Sequence, residues 1–233
     1  MDIALTIATC MAEGGFVEAV GCLVLVSRAF YSDTQLWGAL KEHQGPKGRT
    51  RLMYAAMVGN VARARFLLDR GARMEVVDSD GLNALMTASF VGSLEVARLL
   101  MERGANASAA RTIDGVTALM WASLKGHLEI AQLLVERGAN VNAARTDIGA
   151  TALIWASQKG HLEIAQLLIE RGSNVDTART DGVGTALMRA AKKGHPKIVR
   201  LLLNRGADKA VLNHAGRTAH SLSITRSIRA LLA

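Results

Sequence analysis

The sequence is poor in the residues that staple, kink or stack a chain. Of 233 residues, two are Cys, two are Pro, and Phe, Trp and Tyr together make up 4%. Cys10 and Cys22 are separated by eleven residues, a spacing that fits neither a redox pair nor a zinc knuckle. Two thiols cannot staple a chain of this length. With Pro confined to positions 46 and 196, long disordered linkers are not expected. Hydrophobic residues are half of the chain, so with few aromatics the apolar mass is Ala, Leu, Val, Ile and Met. That is the composition of packed helices rather than of a β-sandwich. Near the N-terminus the apolar run from Ala19 to Val26 is eight residues, whereas a membrane helix needs about twenty. A secretory leader opens with positive charge, and this chain opens with Asp2 and carries Glu13 and Glu18. Neither a signal peptide nor a membrane span is expected, and a reduced intracellular setting, cytoplasmic or nuclear, fits best.

Acidic residues are nearly absent from one end. Residues 182–233 hold ten Lys or Arg and a single acid, Asp208, so this segment carries +9 of a net +8 and the rest of the chain carries −1. Such asymmetry speaks of a partner rather than of a fold.

What the sequence does have is a repeat. Arg-Gly pairs stand at 70–71, 103–104, 137–138, 171–172 and 205–206, at steps of 33, 34, 34 and 34 residues. Gly59, Gly92, Gly126, Gly160 and Gly194 keep the same period, and the last three are followed by His127, His161 and His195. In each unit a short helix, such as Thr117 to Lys125, is capped by Thr and stopped by Gly. A second helix, Leu128 to Arg137, is apolar on most of its surface and ends at Gly138. A turn-rich stretch then leads to the next unit. One helix pair cannot bury itself, but stacked copies can.

The units resemble the ankyrin repeat, with its hallmark D-x-x-G-x-T-P-L-H-x-A-A-x-x-G-H, a leucine-rich helix and G-A-D/N-V-N. The resemblance covers residues 48–233, with full units at 48–80, 81–113, 114–147, 148–181 and 182–215 and a truncated C-terminal cap at 216–233. It implies an all-α fold, an ankyrin-repeat α-solenoid of helix-turn-helix units with short hairpin loops. The family's T-P-L-H appears as Thr117-Ala-Leu-Met120, Thr151-Ala-Leu-Ile154 and Thr185-Ala-Leu-Met188. The His-centred hydrogen bonds of the family are thus expected to be replaced by apolar contact. Three units carry one extra residue in the hairpin before the Thr.

The resemblance also implies that a partner protein binds the concave face, lined by the first helices and hairpin tips. Positions two, five and six after the motif Leu share one side of the first helix at a period of 3.6. They read Tyr54, Met57, Val58; Thr87, Phe90, Val91; Trp121, Leu124, Lys125; Trp155, Gln158, Lys159; and Arg189, Lys192, Lys193. The stripe runs from apolar and aromatic to basic, and aromatics and Arg often dominate interfaces. The alternative for the first position of each triplet is packing against neighbouring first helices. The hairpins add Arg111, Arg145 and Arg179, repeating about 10 Å apart. These are either forks for a partner's carboxylates or phosphates, or partners of Asp114, Asp147 or Asp181 in their own or the adjacent hairpin.

No catalytic constellation or phosphate loop is present, so no enzyme and no cofactor are expected. His127, His161 and His195 recur one repeat apart, too far to share a metal, and are expected to cap the second helix. Pro196 suits the first position of that helix. A monomer is expected. Nucleic acid is the rival partner class through the basic end, but that region lacks interleaved aromatics for base stacking.

Residues 1–47 break the repeat. Leu23-Val-Leu-Val-Ser-Arg-Ala-Phe30 and Asp33-Thr-Gln-Leu-Trp37 resemble the second half of an F-box, L-x-x-V-S/C-R/K-x-F/W … D-x-x-L-W. The family's Leu-Pro opening is missing, and Gly14-Gly15 stands where it prefers apolar residues. The resemblance implies docking of residues 1–41 on the adaptor subunit of a cullin-type ubiquitin ligase, with the repeats capturing a substrate. The other reading is a helical cap over the first repeat.

Overall fold

The computed structural model describes residues 46–233. The F-box-like segment therefore lies, apart from its last two residues, outside the described residues. A short 3-10 turn at Pro46–Gly48 leads into helices that come in pairs: α1 (Arg51–Val58) with α2 (Val61–Asp69), α3 (Ala84–Val91) with α4 (Leu94–Glu102), and α5 (Ala118–Lys125) with α6 (Leu128–Glu136). They continue with α7 (Ala152–Lys159) and α8 (Leu162–Glu170), α9 (Ala186–Lys193) and α10 (Pro196–Asn204), and the shortened α11 (Ala219–Leu222) and α12 (Arg226–Leu232). The fold is all-α. Extended pairing among the described residues is limited to three isolated antiparallel bridges, Ala110 with Thr117, Ala144 with Thr151 and Ala178 with Thr185.

Local chemistry sets the helix ends. Thr50, Thr117, Thr151, Thr185 and Thr218 precede first helices and accept a backbone N–H three residues on, as Asn83 does before α3. Such a cap contributes about 1 kcal/mol. The full-length first helices stop at left-handed glycines, with φ from 72 to 89° at Gly59, Gly92, Gly126, Gly160 and Gly194. Pro196 opens α10 at its first turn, where its missing N–H costs nothing.

Two layers result. The odd-numbered helices pack in sequence as one layer and the even-numbered helices as the other, and the odd layer is the tighter. Its closeness follows from side-chain size, because Ala56, Ala88, Ala122, Ala156, Ala190 and Ala191 are fully buried between neighbours. Beneath them lie Leu52, Leu85, Leu119, Leu153 and Leu187, and the residues standing at the family's His position. Met53, Met86, Met120, Ile154 and Met188 are each no more than 2% exposed, so apolar contact does replace the polar network there. The second helices bury such sets as Ile130, Ala131, Leu133 and Leu134, and turn Glu129, Gln132 and Glu136 to solvent.

Three ladders tie each unit to the next. Along the hairpin stems, the backbone N–H groups of Asn106, Asn140, Asn174 and Asp208 donate to side-chain oxygens of Glu75, Ser108, Asn142 and Asp176 at 2.9–3.2 Å. Nearer the tips, Thr146 N donates to Asp114 O at 2.9 Å and Thr180 N to Ile148 O at 3.0 Å. At the opposite end of the first helix, the histidines do something other than what the sequence predicts. His127, His161 and His195 occupy N-cap positions but make no side-chain cap bond. Each ring instead lies over a glycine of the preceding unit. A Cβ at Gly92 would approach His127 Cε1 to 2.5 Å, and one at Gly126 would approach His161 Cε1 to 2.5 Å. The Nε2 atom of His195 is also 3.2 Å from Gln158 O. In the second unit Ser93 takes this place, its hydroxyl donating to Ala56 O at 2.7 Å.

Candidate functional site

The stripe on the first helices is solvent-facing along its length. Val58 and Val91 are 45% and 39% exposed, Lys125, Lys159, Lys192 and Lys193 are exposed, and Tyr54, Met57, Phe90, Trp121, Leu124, Trp155, Gln158 and Arg189 are half-buried. The exception is Thr87, which the periodicity places on the face. It is 8% exposed, and its hydroxyl donates to Asn83 O at 2.8 Å, so it belongs to the helix rather than the surface. A hydroxyl able to bond back one turn is the signal that distinguishes it.

Val58, Val91, Lys125, Lys159 and Lys193 form one row, the last residue of each of the five full first helices. A lysine there gains from the helix dipole, about 0.3–1 kcal/mol. Helix termination does not require it, because α1 and α3 end on the same left-handed glycine with Val. The change from Val to Lys is thus a property of the surface.

Within the stripe the side chains touch across units. Phe90 and Trp121 meet edge to face, with ring centroids 5.0 Å apart and planes at 88°. Lys125 Nζ lies 4.2 Å from the Phe90 centroid, closing a cation over the ring. The Trp121 indole N–H is buried and has no acceptor among the described residues. In the first unit, burial raises the Tyr54 phenol above its ordinary pKa, with Arg49 opposing and Asp78 adding to the shift. Trp121 therefore packs against the neighbouring first helix, as one of its two sequence readings has it, while its side chain stays only half-buried.

The hairpin arginines do not stand free. Arg111 Nε donates to Asp114 at 2.7 Å, and Arg111 Nη1 reaches Asp80 O at 3.1 Å in the preceding hairpin. Arg145 bridges two hairpins, 2.7 Å from Asp147 and 3.0 Å from Asp114. Arg179 Nε donates to Asp181 at 3.0 Å, and its guanidinium carbon lies 5.7 Å from the Trp155 ring centroid. Hydrogen bonds from Arg111, Arg145 and Arg179 hold Asp114, Asp147 and Asp181 below the usual carboxylate pKa. Of the two roles open to these arginines, the geometry is that of hairpin bracing. In each, the Nε–Nη2 edge of the guanidinium is already engaged by a carboxylate.

Across α7 and α9 the contact is of another kind. Arg189 Nε and Nη2 both donate to Gln158 Oε1, at 3.0 and 2.6 Å. Positions three apart on each helix and one unit apart in the stack gave no sign of this pairing. Among the described residues no group of three or more His, Cys, Asp or Glu is placed to hold a metal, and no helix is long and apolar enough to cross a membrane.

Comparison with known families accords with this architecture. The family model described as ankyrin repeats (3 copies) matches residues 8–111, 52–145, 106–181 and 144–213. The first match begins inside the segment that resembles an F-box, and nothing in the comparisons supports that resemblance. No curated protein matches the chain significantly. Ankyrin repeats are in general modules of protein–protein interaction. With matches running from residue 8 to residue 213, this chain belongs to the ankyrin-repeat family.

Proposed function

We propose that the protein is a non-enzymatic recognition module that holds a segment of another protein along its first-helix face. The observation that carries this is the graded stripe, apolar and aromatic on α1 and α3, mixed on α5 and α7 and basic on α9, which apart from the buried Thr87 stays at least partly exposed. A partner segment fits it with apolar side chains over Met57, Phe90, Val91 and Leu124 and acidic ones over Lys159, Arg189, Lys192 and Lys193. Phe90 and Trp121 form the anchor, since paired, half-buried aromatics give large contact area at small entropic cost. Arg111 and Arg145 fall outside the contact set because their own carboxylates neutralise them.

The test is Leu124→Glu, alone and with Phe90→Glu, in proteins whose helical circular dichroism matches that of the parent. Both variants are expected to lose the proteins that the parent retrieves from extract. Retention of the same proteins by a folded double variant would sink the reading.

A further inference from the structure

Arg189 differs from every hairpin arginine in what it is given to bind. Arg111, Arg145 and Arg179 each hold a carboxylate, whereas both engaged nitrogens of Arg189 point at one neutral amide oxygen, that of Gln158. Nη1 makes no hydrogen bond among the described residues. A guanidinium has five donors in a planar fork suited to a carboxylate, so an amide oxygen leaves most of its capacity unused.

The surroundings increase the deficit of negative charge. Lys192 and Lys193 lie three and four residues along α9, on the same side of the helix as Arg189. Lys159 follows Gln158 at the end of α7. None of the three lysines has an ion pair among the described residues. Arg179 lies over the Trp155 ring and is paired with Asp181, so this pair adds no net charge and leaves Arg189 and the three lysines in excess. Burial, and the Arg179 charge after it, lowers the Arg189 pKa against an opposing pull from Asp181. A half-buried cation in a positive field favours an incoming anion. The helix dipole accounts for lysines at the end of α9, but not for a half-buried arginine one turn earlier that faces an amide.

We infer that the α7–α9 end of the face is a carboxylate subsite, with Arg189 as its fork, Trp155 and Arg179 as its wall, and Lys159, Lys192 and Lys193 steering Asp or Glu side chains of a partner protein into it. This rests on the recognition reading above and adds the particular fork that seats a carboxylate of the partner's acidic end and the residue that holds that fork. Gln158 acts as a placeholder, holding the fork in position until the carboxylate arrives.

The probe is a fluorescein-labelled hexaglutamate peptide followed by anisotropy at low salt, with hexaglutamine as control. The parent is expected to bind hexaglutamate and not hexaglutamine. Arg189→Met is expected to weaken binding about tenfold. Gln158→Glu is expected to block it to a similar degree, because it supplies an internal carboxylate to an unchanged Arg189. That second variant separates a subsite from a merely structural arginine, since it keeps every cation in place. Unchanged hexaglutamate binding in both variants would overturn the subsite. So would a duplex DNA oligonucleotide that outcompetes the peptide and is insensitive to both, which marks a diffuse polyanion surface. The two readings separate cleanly: hexaglutamate binding that depends on Arg189, beside unchanged protein capture in the Phe90→Glu/Leu124→Glu variant, keeps the subsite and removes the apolar anchor.

Discussion

At the scale of the residue, the contact of a histidine with the glycine of the preceding unit is a sharp steric constraint. Gly126 sits at φ 85° and would bring a Cβ within 2.5 Å of His161. Gly126→Ala therefore meets two penalties, a left-handed backbone costing about 1–2 kcal/mol and a ring that must move. Urea unfolding is expected to show a loss of at least that size. Adding His161→Ala is expected to recover the steric part alone, which a double-mutant cycle resolves. A cycle with no coupling would mean that the ring is not the obstacle. The sequence shows the Gly-His pair and its period, but it suggests a histidine capping its own helix. The actual partner lies 35 residues away, and only stacking brings it there. Thr87 is misread for the opposite reason: its helical position is right, but its hydroxyl is committed locally.

At the scale of the element, the hairpins divide by length. Twelve residues separate Gly104 from Thr117, Gly138 from Thr151 and Gly172 from Thr185, whereas eleven separate Gly71 from Asn83 and Gly206 from Thr218. The three long hairpins are the ones that close with a β-bridge and an Arg–Asp pair. Since Asp114, Asp147 and Asp181 titrate lower in the fold than in the unfolded chain, they contribute stability above the ordinary carboxylate pKa of 3.8, and that stability is lost as pH falls through their folded values. Stability is expected to be level from pH 7 to about 5 and to fall below about 4. Asp114→Asn is expected to lower the plateau and flatten the acid limb, because Asp114 serves both Arg111 and Arg145. Chemical denaturation across pH reads both. An acid limb as steep in the variant as in the parent would assign it to other carboxylates. The extra residue and the Arg–Asp pairing are visible in the sequence. The sequence leaves open whether each Arg pairs within its own hairpin or with the adjacent one, and Arg145 does both at once.

At the scale of the whole described stack, each unit is held only by its neighbours, so protection against opening accumulates from both sides. Helices α3 to α8 have complete units before and after them, while α11 and α12 are shortened and leave Ile224 63% exposed. Amide hydrogen exchange is expected to be slowest in the helices of residues 84–170 and fastest in residues 219–232. Uniform exchange along the stack would mean that the units open together. The order of helices and the identity of the packed layer are plain in the sequence, since period, caps and Ala positions all agree. The graded face is legible as a list of positions. Its internal partnerships, Lys125 on Phe90 and Arg189 on Gln158, join residues 31–35 positions apart that no local pattern connects.

The junctions between units have a further consequence. The third and fourth units present the same cap, the same glycine for a following histidine, the same stem acceptor position and the same braced hairpin. A second copy of residues 148–181 placed after the first would meet both neighbours through contacts that already exist. Copy number is then the easy variable of this chain, and the reach between the aromatic anchor and the basic end can be set in steps of about 10 Å without redesigning either.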